Sequence, residues 1–291
     1  MKVQRSDGIG AQRIDSVGAA AYTERKPRYY MRGTAIRRIV IEQSKRANVG
    51  HIGSALSVAD IVAALYGGVL RVPAPRAHDR DRFVLAKGHA VLAVYAALFL
   101  RGWLDQAALD SYCGDGSHLG IHPDRELAGI DFSTGSLGFG LPVGVGATLA
   151  ARLEGSERRV FVLVSDAECN EGSVWEAVMY AAHHRLGRLT VIVDLNGQQA
   201  LGKTADVLSL APLVDCWRAF GWNAGEIDGH DGPALRAALA APCAASGPPR
   251  VFVARTVFGK GVSYMEGQLK WHYWPMSDAE YALALAELAT G

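Results

Sequence analysis

The sequence predicts an α/β protein, with a mostly parallel β-sheet covered by helices on both faces. Two kinds of segment alternate along the chain. Short unbroken runs of β-branched and aromatic residues (Asp81–Ala86, Val160–Ser165, Leu189–Val193, Val251–Thr256) are separated by longer stretches with apolar residues at helical spacing. A strand buried on both faces needs such a run, because its alternate side chains enter two different helical layers. Three of the runs pass straight into Gly-, Asp- or Asn-bearing turns, which is the punctuation of successive strand–helix units.

Residues 1–28 mix Gly, Arg, Asp and Ser without periodicity and are expected to be an N-terminal arm, with residues 29–291 forming one domain. Met31–Arg46 places Ile36, Ile39, Val40 and Gln43 on a helical face, and Gly50-His51-Ile52-Gly53 interrupts it. A second helix is expected from Ser57, with Asp60 three residues on in a capping-box-like arrangement and Ile61, Val62, Leu65 and Tyr66 along it. The strand Asp81–Ala86 feeds Lys87-Gly88-His89 and an apolar helix, Ala90–Leu100. Leu104–Tyr112 reads as a short helix and Gly114–Asp131, rich in Gly, His, Pro and Asp, as a long functional loop. Ser133–Gly140 then opens a helix of small residues, Gly144–Leu153, suited to close packing. Strand–helix units follow at Val160–Arg185 and Leu189–Asn196, then a loop Gly197–Leu208, a helix Ala211–Phe220, a strand Gly221–Ile227, a helix Ala234–Ala241 and the last strand, Val251–Thr256.

Composition narrows the function classes. Thirty basic against twenty-nine acidic residues give a formal charge of +1, so no global field favours nucleic acid or an anionic membrane, and any anion must be held locally. The four cysteines, Cys113, Cys169, Cys216 and Cys243, form no CxxC pair, which argues against a zinc site or a disulfide framework and for reduced thiols. With no apolar segment of signal-peptide or membrane-span character, a cytoplasmic protein is expected.

Asp166 and Asn196 carry the most chemical information. Thirty residues apart, they close two apolar runs of one strand–helix–strand unit, with Glu171-Gly172 between them. Oxygen-bearing side chains at the carboxyl ends of neighbouring parallel strands can hold a hard divalent cation, which commonly anchors a phosphate. The backbone carbonyl of Gln198 would extend the set, and magnesium, which takes oxygen ligands at roughly 2.1 Å, suits the mix. Either residue alone could equally cap a helix or turn. Gly135-Ser136-Leu137-Gly138 is a glycine-bearing turn before a helix, where free N–H groups attract phosphate, although alone it could serve packing. The chain has neither the GKT/S ending of a P-loop nor a GxGxxG after its first strand, which disfavours a kinase and a dinucleotide-dependent dehydrogenase. His51, His89, His122 and His272 each sit in a Gly-, Pro- or aromatic-flanked break, from which an imidazole can reach a cleft and exchange protons near neutral pH. A single loop histidine is ordinarily just solvated, whereas four in similar settings suggest a site.

Taken together, Asn48–Ser54, Leu85–Ala90, Gly120–Pro123, Thr134–Gly138, Asp166–Ala177, Val193–Gln199 and Lys260–Glu266 resemble, in order, the N-terminal half of transketolases, and more closely the separate subunit carrying that half in split transketolases. The resemblance implies the diphosphate-binding type of thiamine-diphosphate-binding fold. It implies thiamine diphosphate with Mg²⁺ (Ca²⁺ or Mn²⁺ as substitutes), the metal on Asp166, Asn196 and the Gln198 carbonyl. The cofactor would meet Gly135, Ser136, Leu137, Ala167, His89 and His272, with Glu171 as the family's acidic residue near the subunit contact. His51, His89, His122 and His272 would line the substrate channel and move protons as a two-carbon ketol unit passes from a ketose to an aldehyde or related carbonyl acceptor. Two departures stand out. Ser165-Asp166-Ala167 replaces the usual Gly-Asp-Gly, leaving the Ala167 N–H free for phosphate, and Tyr273-Trp274-Pro275 follows His272 where many relatives have Gly and a small or basic residue, which crowds the substrate entrance. In this family a second domain supplies the glutamate that activates the cofactor and most groups that grip substrate phosphate. The chain is therefore expected to work with a separate pyrimidine-binding subunit, in an α2β2 assembly. The α subunit of a 2-oxoacid dehydrogenase-like enzyme and a non-catalytic cofactor-binding or regulatory subunit are the competing readings.

Overall fold

The computed structural model describes residues 31–290; the arm expected over residues 1–28 lies outside the described residues. Strands run in chain order as β1 (Arg82–Leu85), β2 (Val160–Ser165), β3 (Leu189–Leu195), a small pair β4 (Gln198–Gln199) and β5 (Gly202–Lys203), β6 (Asn223–Asp228) and β7 (Arg250–Arg255). The main sheet has the order β1-β2-β3-β7-β6, and every neighbouring pair in it is parallel. All its strands therefore end on one edge, which is where parallel α/β sheets bind ligands.

Alternation within the apolar runs divides the core into two layers. Phe161 and Leu163 of β2 face one cluster, with Phe83, Leu85 and Ile192, while Val160, Val162 and Val164 face the other, with Val191, Val193 and Val251. The first layer is built from α1 (Gly33–Ala47), α2 (Ile52–Ser57), α3 (Ala59–Ala64), α4 (Val91–Leu100) and the short α5 (Gln106–Asp110). The second comes from α6 (Gly140–Leu153), α7 (Gly172–His183) and, beyond the small α8 (Thr204–Leu208), α9 (Leu213–Ala219). α10 (Gly232–Ala240), α11 (Lys270–Tyr273) and α12 (Asp278–Thr290) return to the first layer. None of the described helices is long and apolar enough to cross a membrane.

Three expectations need correction. The break expected over Gly50–Gly53 ends at His51: α2 begins at Ile52, its residues 52–57 all buried, and the helix expected from Ser57 follows as α3 from Ala59, without Ser57 as its cap. Ser57 donates to Asp194 instead, and Asp60 pairs with Arg37 at 2.5 Å and with His230 at 2.9 Å. The small-residue helix starts at Gly140, four residues early, and a Cβ on Gly144 would lie 2.4 Å from Val162, so α6 sits directly on β2. The loop expected over Gly197–Leu208 contains the β4–β5 hairpin and α8.

Candidate active site

β2 and β3 pair in a register that sets Ser165 opposite Asp194. Asp166 and Asn196 therefore leave the sheet side by side at its carboxyl edge. The Asp166 carboxylate accepts N–H bonds from Ala167 at 3.0 Å and, across the strand end, from Gly197 at 3.0 Å. Only 3% of Asp166 is exposed, and burial, followed by the nearby Asp194 charge, pushes its carboxyl up to about 6. A carboxylate so disfavoured in its charged form is one that a bound cation would stabilise strongly.

The neighbouring donors are held by local hydrogen bonds. Asn196 donates through Nδ2 to Asp194 at 2.8 Å and accepts the Gln198 N–H on Oδ1 at 2.9 Å. Since an ionised Asp194 can only accept, the amide nitrogen must face it, and the Asn196 oxygen faces out. Thr204 donates its N–H to the Gly197 carbonyl, so Gln198 and Lys203 form the non-hydrogen-bonded pair of the β4–β5 hairpin. The Gln198 N–H and C=O both turn away from Lys203, toward the Asn196 side. One carboxylate, one amide oxygen and one carbonyl make a hard oxygen donor set that fits magnesium.

Behind these donors lies a buried network that the sequence motifs did not disclose. Lys87, 1% exposed, follows β1 and reaches across the end of β2 to Asp194, 0% exposed, on β3, with 2.5 Å between ammonium and carboxylate. Asp194 also accepts from Ser57 Oγ at 2.8 Å and from Thr256 Oγ1. Glu168 performs a similar task one turn away. It accepts the Gly138 N–H at 2.8 Å and the Ser165 N–H at 3.4 Å, and burial pushes its carboxyl up to about 7. It thus ties the glycine turn to the end of β2. A sequence signal for both exists: charged residues that close or follow otherwise unbroken apolar runs.

The turn Gly135–Gly138 precedes α6 rather than opening it. Gly138 holds φ +87°, and a Cβ there would also meet Ser173 Oγ at 2.5 Å and Glu171 Cβ at 2.8 Å, so only glycine fits. Its N–H is taken by Glu168, leaving Gly135, Ser136 and Leu137 to offer backbone donors. Glu171 lies against this turn but its side chain is exposed at the start of α7, apart from the metal-type donors.

All four histidines converge beside this edge. The rings of His51, His89 and His272 form a near-equilateral triangle with centroids 5.4, 5.3 and 5.4 Å apart. His122 packs over Gly88 and Gly135, whose added Cβ atoms would lie 3.1 and 3.2 Å from its Cδ2. Two of the four are not in breaks as expected: His89 belongs to a 3₁₀ turn, Gly88–Ala90, and His272 to α11. His51 has the left-handed φ of 60° just before α2, and its N–H donates to the His272 carbonyl at 3.3 Å. His89 Nε2 lies 3.1 Å from Ser54 Oγ. Among the described residues the buried Nδ1 atoms of His51 and His272 have no hydrogen-bond partner, which suits a polar ligand there.

Burial lowers all four imidazoles, and it does so first in every case. His122 adds to the effect at His51, and Lys87 and His272 add to it at His89, which falls well below its ordinary value. His272 drops to about 4, with His51 and then Lys87 as further causes. At neutral pH the cluster is uncharged. Below about 6.5 an unfolded chain binds protons that the folded His272 refuses, so this residue's contribution to stability is lost as pH falls from about 6.5 toward about 4. Replacing His272 with glutamine removes that contribution. The thermal midpoint of H272Q relative to the parent chain should therefore rise progressively below pH 6.5, and a difference independent of pH would contradict the burial argument.

Comparison with known proteins gives this edge its context. Residues 31–289 match the family model described as transketolase, thiamine diphosphate binding domain. The chain is 38% identical over 256 residues to the 6-deoxy-6-sulfo-D-fructose transketolase subunit SqwG of Clostridium sp. (strain MSTE9), covering 87% of this chain and 93% of that subunit. It is 37% identical to an apulose-4-phosphate transketolase subunit of Phocaeicola vulgatus, covering 87% and 91%. Among solved structures, transketolase from Leishmania mexicana superposes with a TM-score of 0.80 at 29% identity, over 88% of this chain and 40% of that one. The chain therefore belongs to the transketolase family of transferases and carries its thiamine diphosphate-binding domain.

Proposed function

We propose that this chain, through one domain over residues 29–291, is the diphosphate-binding subunit of a split, Mg²⁺-dependent transketolase that moves a two-carbon ketol unit from a ketose to an aldehyde or related carbonyl acceptor. One observation carries the reading: Asp166, Asn196 and Gln198 lie together at the carboxyl edge of the sheet, and beside them is a histidine cluster whose His51 and His272 Nδ1 atoms have no partner among the described residues. Thiamine diphosphate, when bound, supplies the carbon nucleophile and electron sink that cleavage beside a ketone requires. Asp166, Asn196 and the Gln198 carbonyl would hold the metal, and the N–H groups of Gly135, Ser136, Leu137 and Ala167 would receive the diphosphate. His51 and His272 would then accept and return hydroxyl protons of the substrate. Neutral imidazoles are suited to that task, since each can take a proton on an atom that makes no other bond.

The partner subunit belongs to the same proposal. Relatives of nearly the same length are named as subunits, and the solved transketolases are longer, this chain covering 40% of the Leishmania mexicana chain. A pyrimidine-binding subunit in an α2β2 assembly would complete the site. Four free cysteines and the near-zero net charge are consistent with work in the cytoplasm on small molecules. The test is ketol transfer by the purified chain with thiamine diphosphate, Mg²⁺ and a ketose donor, with and without a co-expressed pyrimidine-binding subunit. Turnover is expected only for the pair. Robust turnover by the chain alone would refute the two-subunit reading, and none in either case would refute ketol transfer.

A further inference from the structure

The segment that carries His272 also presents two aromatic rings to solvent. Tyr273 is 52% exposed and Trp274 is 63% exposed, the latter the one exposed tryptophan of six. An isolated exposed ring needs no explanation. These two are held. The Tyr273 carbonyl would lie 2.3 Å from a Cβ on Gly50, so the Tyr273–Trp274 peptide seats directly on the loop that presents His51. The Trp274 N–H donates to the Lys270 carbonyl at 3.0 Å, and Pro275 follows with its fixed φ. The Tyr273 ring lies 5.1 Å from that of His272, and its hydroxyl donates to the Ala200 carbonyl at 2.5 Å, in the turn of the β4–β5 hairpin. Tyr273 thus spans from the histidine cluster to the hairpin that supplies Gln198. Gln198 strengthens the same link by donating its side-chain amide to the Gly267 carbonyl at 3.0 Å. The cation on this short helix, Lys270, is bound to Glu280 and lies over the Trp271 ring at 4.5 Å.

From this geometry we infer that Tyr273 and Trp274 form an acceptor-selecting wall beside the histidine cluster, and that the acceptor is a carbonyl compound bearing an aromatic or other planar apolar group. The inference rests on the ketol-transfer reading for the chemistry but on separate residues for the selection. The Tyr273 ring, fixed at its hydroxyl, loses little entropy when a planar group stacks on it, and the held backbone of Trp274 keeps the second ring beside it, which makes such a contact selective. With Lys270 already neutralised, this wall offers an apolar face rather than a counter-charge for phosphate.

The test uses the assembled two-subunit enzyme, with benzaldehyde and glycolaldehyde as competing acceptors. Trp274→Ala should lower kcat/KM for benzaldehyde about tenfold, the upper end of what one aromatic contact contributes, and change that for glycolaldehyde less than twofold. Tyr273→Phe, which keeps the ring and frees it from Ala200, should give a smaller loss in the same direction. Saturation-transfer NMR on the ring protons of benzaldehyde reads the contact without turnover, and the signal should weaken in W274A. Equal losses for both acceptors, no benzaldehyde contact in the parent enzyme, or failure of W274A to assemble with the partner would each overturn the proposal, the last by assigning the rings to the subunit interface. An NMR contact that depends on Trp274 in an enzyme without ketol transfer would sustain the aromatic wall and defeat the reading of the reaction.

Discussion

Replacing Asp166 with asparagine is expected to abolish metal-dependent binding of thiamine diphosphate while leaving the fold intact. The carboxylate is buried, lies near a second buried carboxylate on Asp194, and is pushed up to about 6, so the folded chain pays for its ionisation. Asparagine has nearly the same shape and keeps an oxygen for one of the two N–H groups, Ala167 bonding Oδ1 and Gly197 bonding Oδ2, while its amide nitrogen faces the other; alanine would leave both donors without their partner. Relief of the buried charge offsets the one lost bond, so the midpoint of thermal unfolding without metal should change little. What is lost is the charge that draws the cation. In the parent chain, Mg²⁺ and cofactor at 100 times their dissociation constant should stabilise the fold by about 2.7 kcal/mol through linkage. That increment should vanish in D166N, and calorimetry should find the affinity at least 100-fold weaker. Undiminished affinity would remove Asp166 from the metal site.

Much of this site is legible in the sequence because its parts are local. An apolar run followed by Asp or Asn announces a strand end, and parallel pairing alone then brings Asp166 and Asn196 together. The four histidines are visible for the same reason, each marked by its own short neighbourhood. What escapes is whatever depends on which chain segments meet. Lys87 and Asp194 are 107 residues apart and join by crossing the end of an intervening strand, so neither motif names the other. Glu168 lies in the most informative motif of the chain, yet its bonds to Gly138 depend on how α6 packs against β2. Ser57 misleads for a related reason: its hydroxyl looks like a helix cap and is used instead on Asp194. The β4–β5 hairpin has strands of two residues each, too short for any alternation to register.

The second large effect belongs to that hidden pair. Lys87→Met should cost about 3–5 kcal/mol, because removing one member of a buried ion pair leaves the other charge uncompensated. For a domain of this size the thermal midpoint should fall by roughly 10 °C. Ser57, Thr256 and Asn196 would still donate to Asp194, but neutral donors cannot replace a cation lying 2.5 Å away in a site closed to water. Adding Asp194→Asn removes the orphaned charge, so K87M/D194N should recover most of the lost stability despite lacking both partners; a double variant as unstable as K87M would show that the network acts through shape rather than charge. Recovery of the fold should not restore the site. Asp194 fixes the Asn196 amide because a carboxylate can only accept, whereas an asparagine at 194 both donates and accepts and allows Asn196 to turn either its nitrogen or its oxygen outward. Cofactor affinity measured with Mg²⁺ should thus stay well below that of the parent chain even where the melting temperature has returned. That separation distinguishes a pair that merely stabilises the sheet edge from one that also aims an oxygen at the metal.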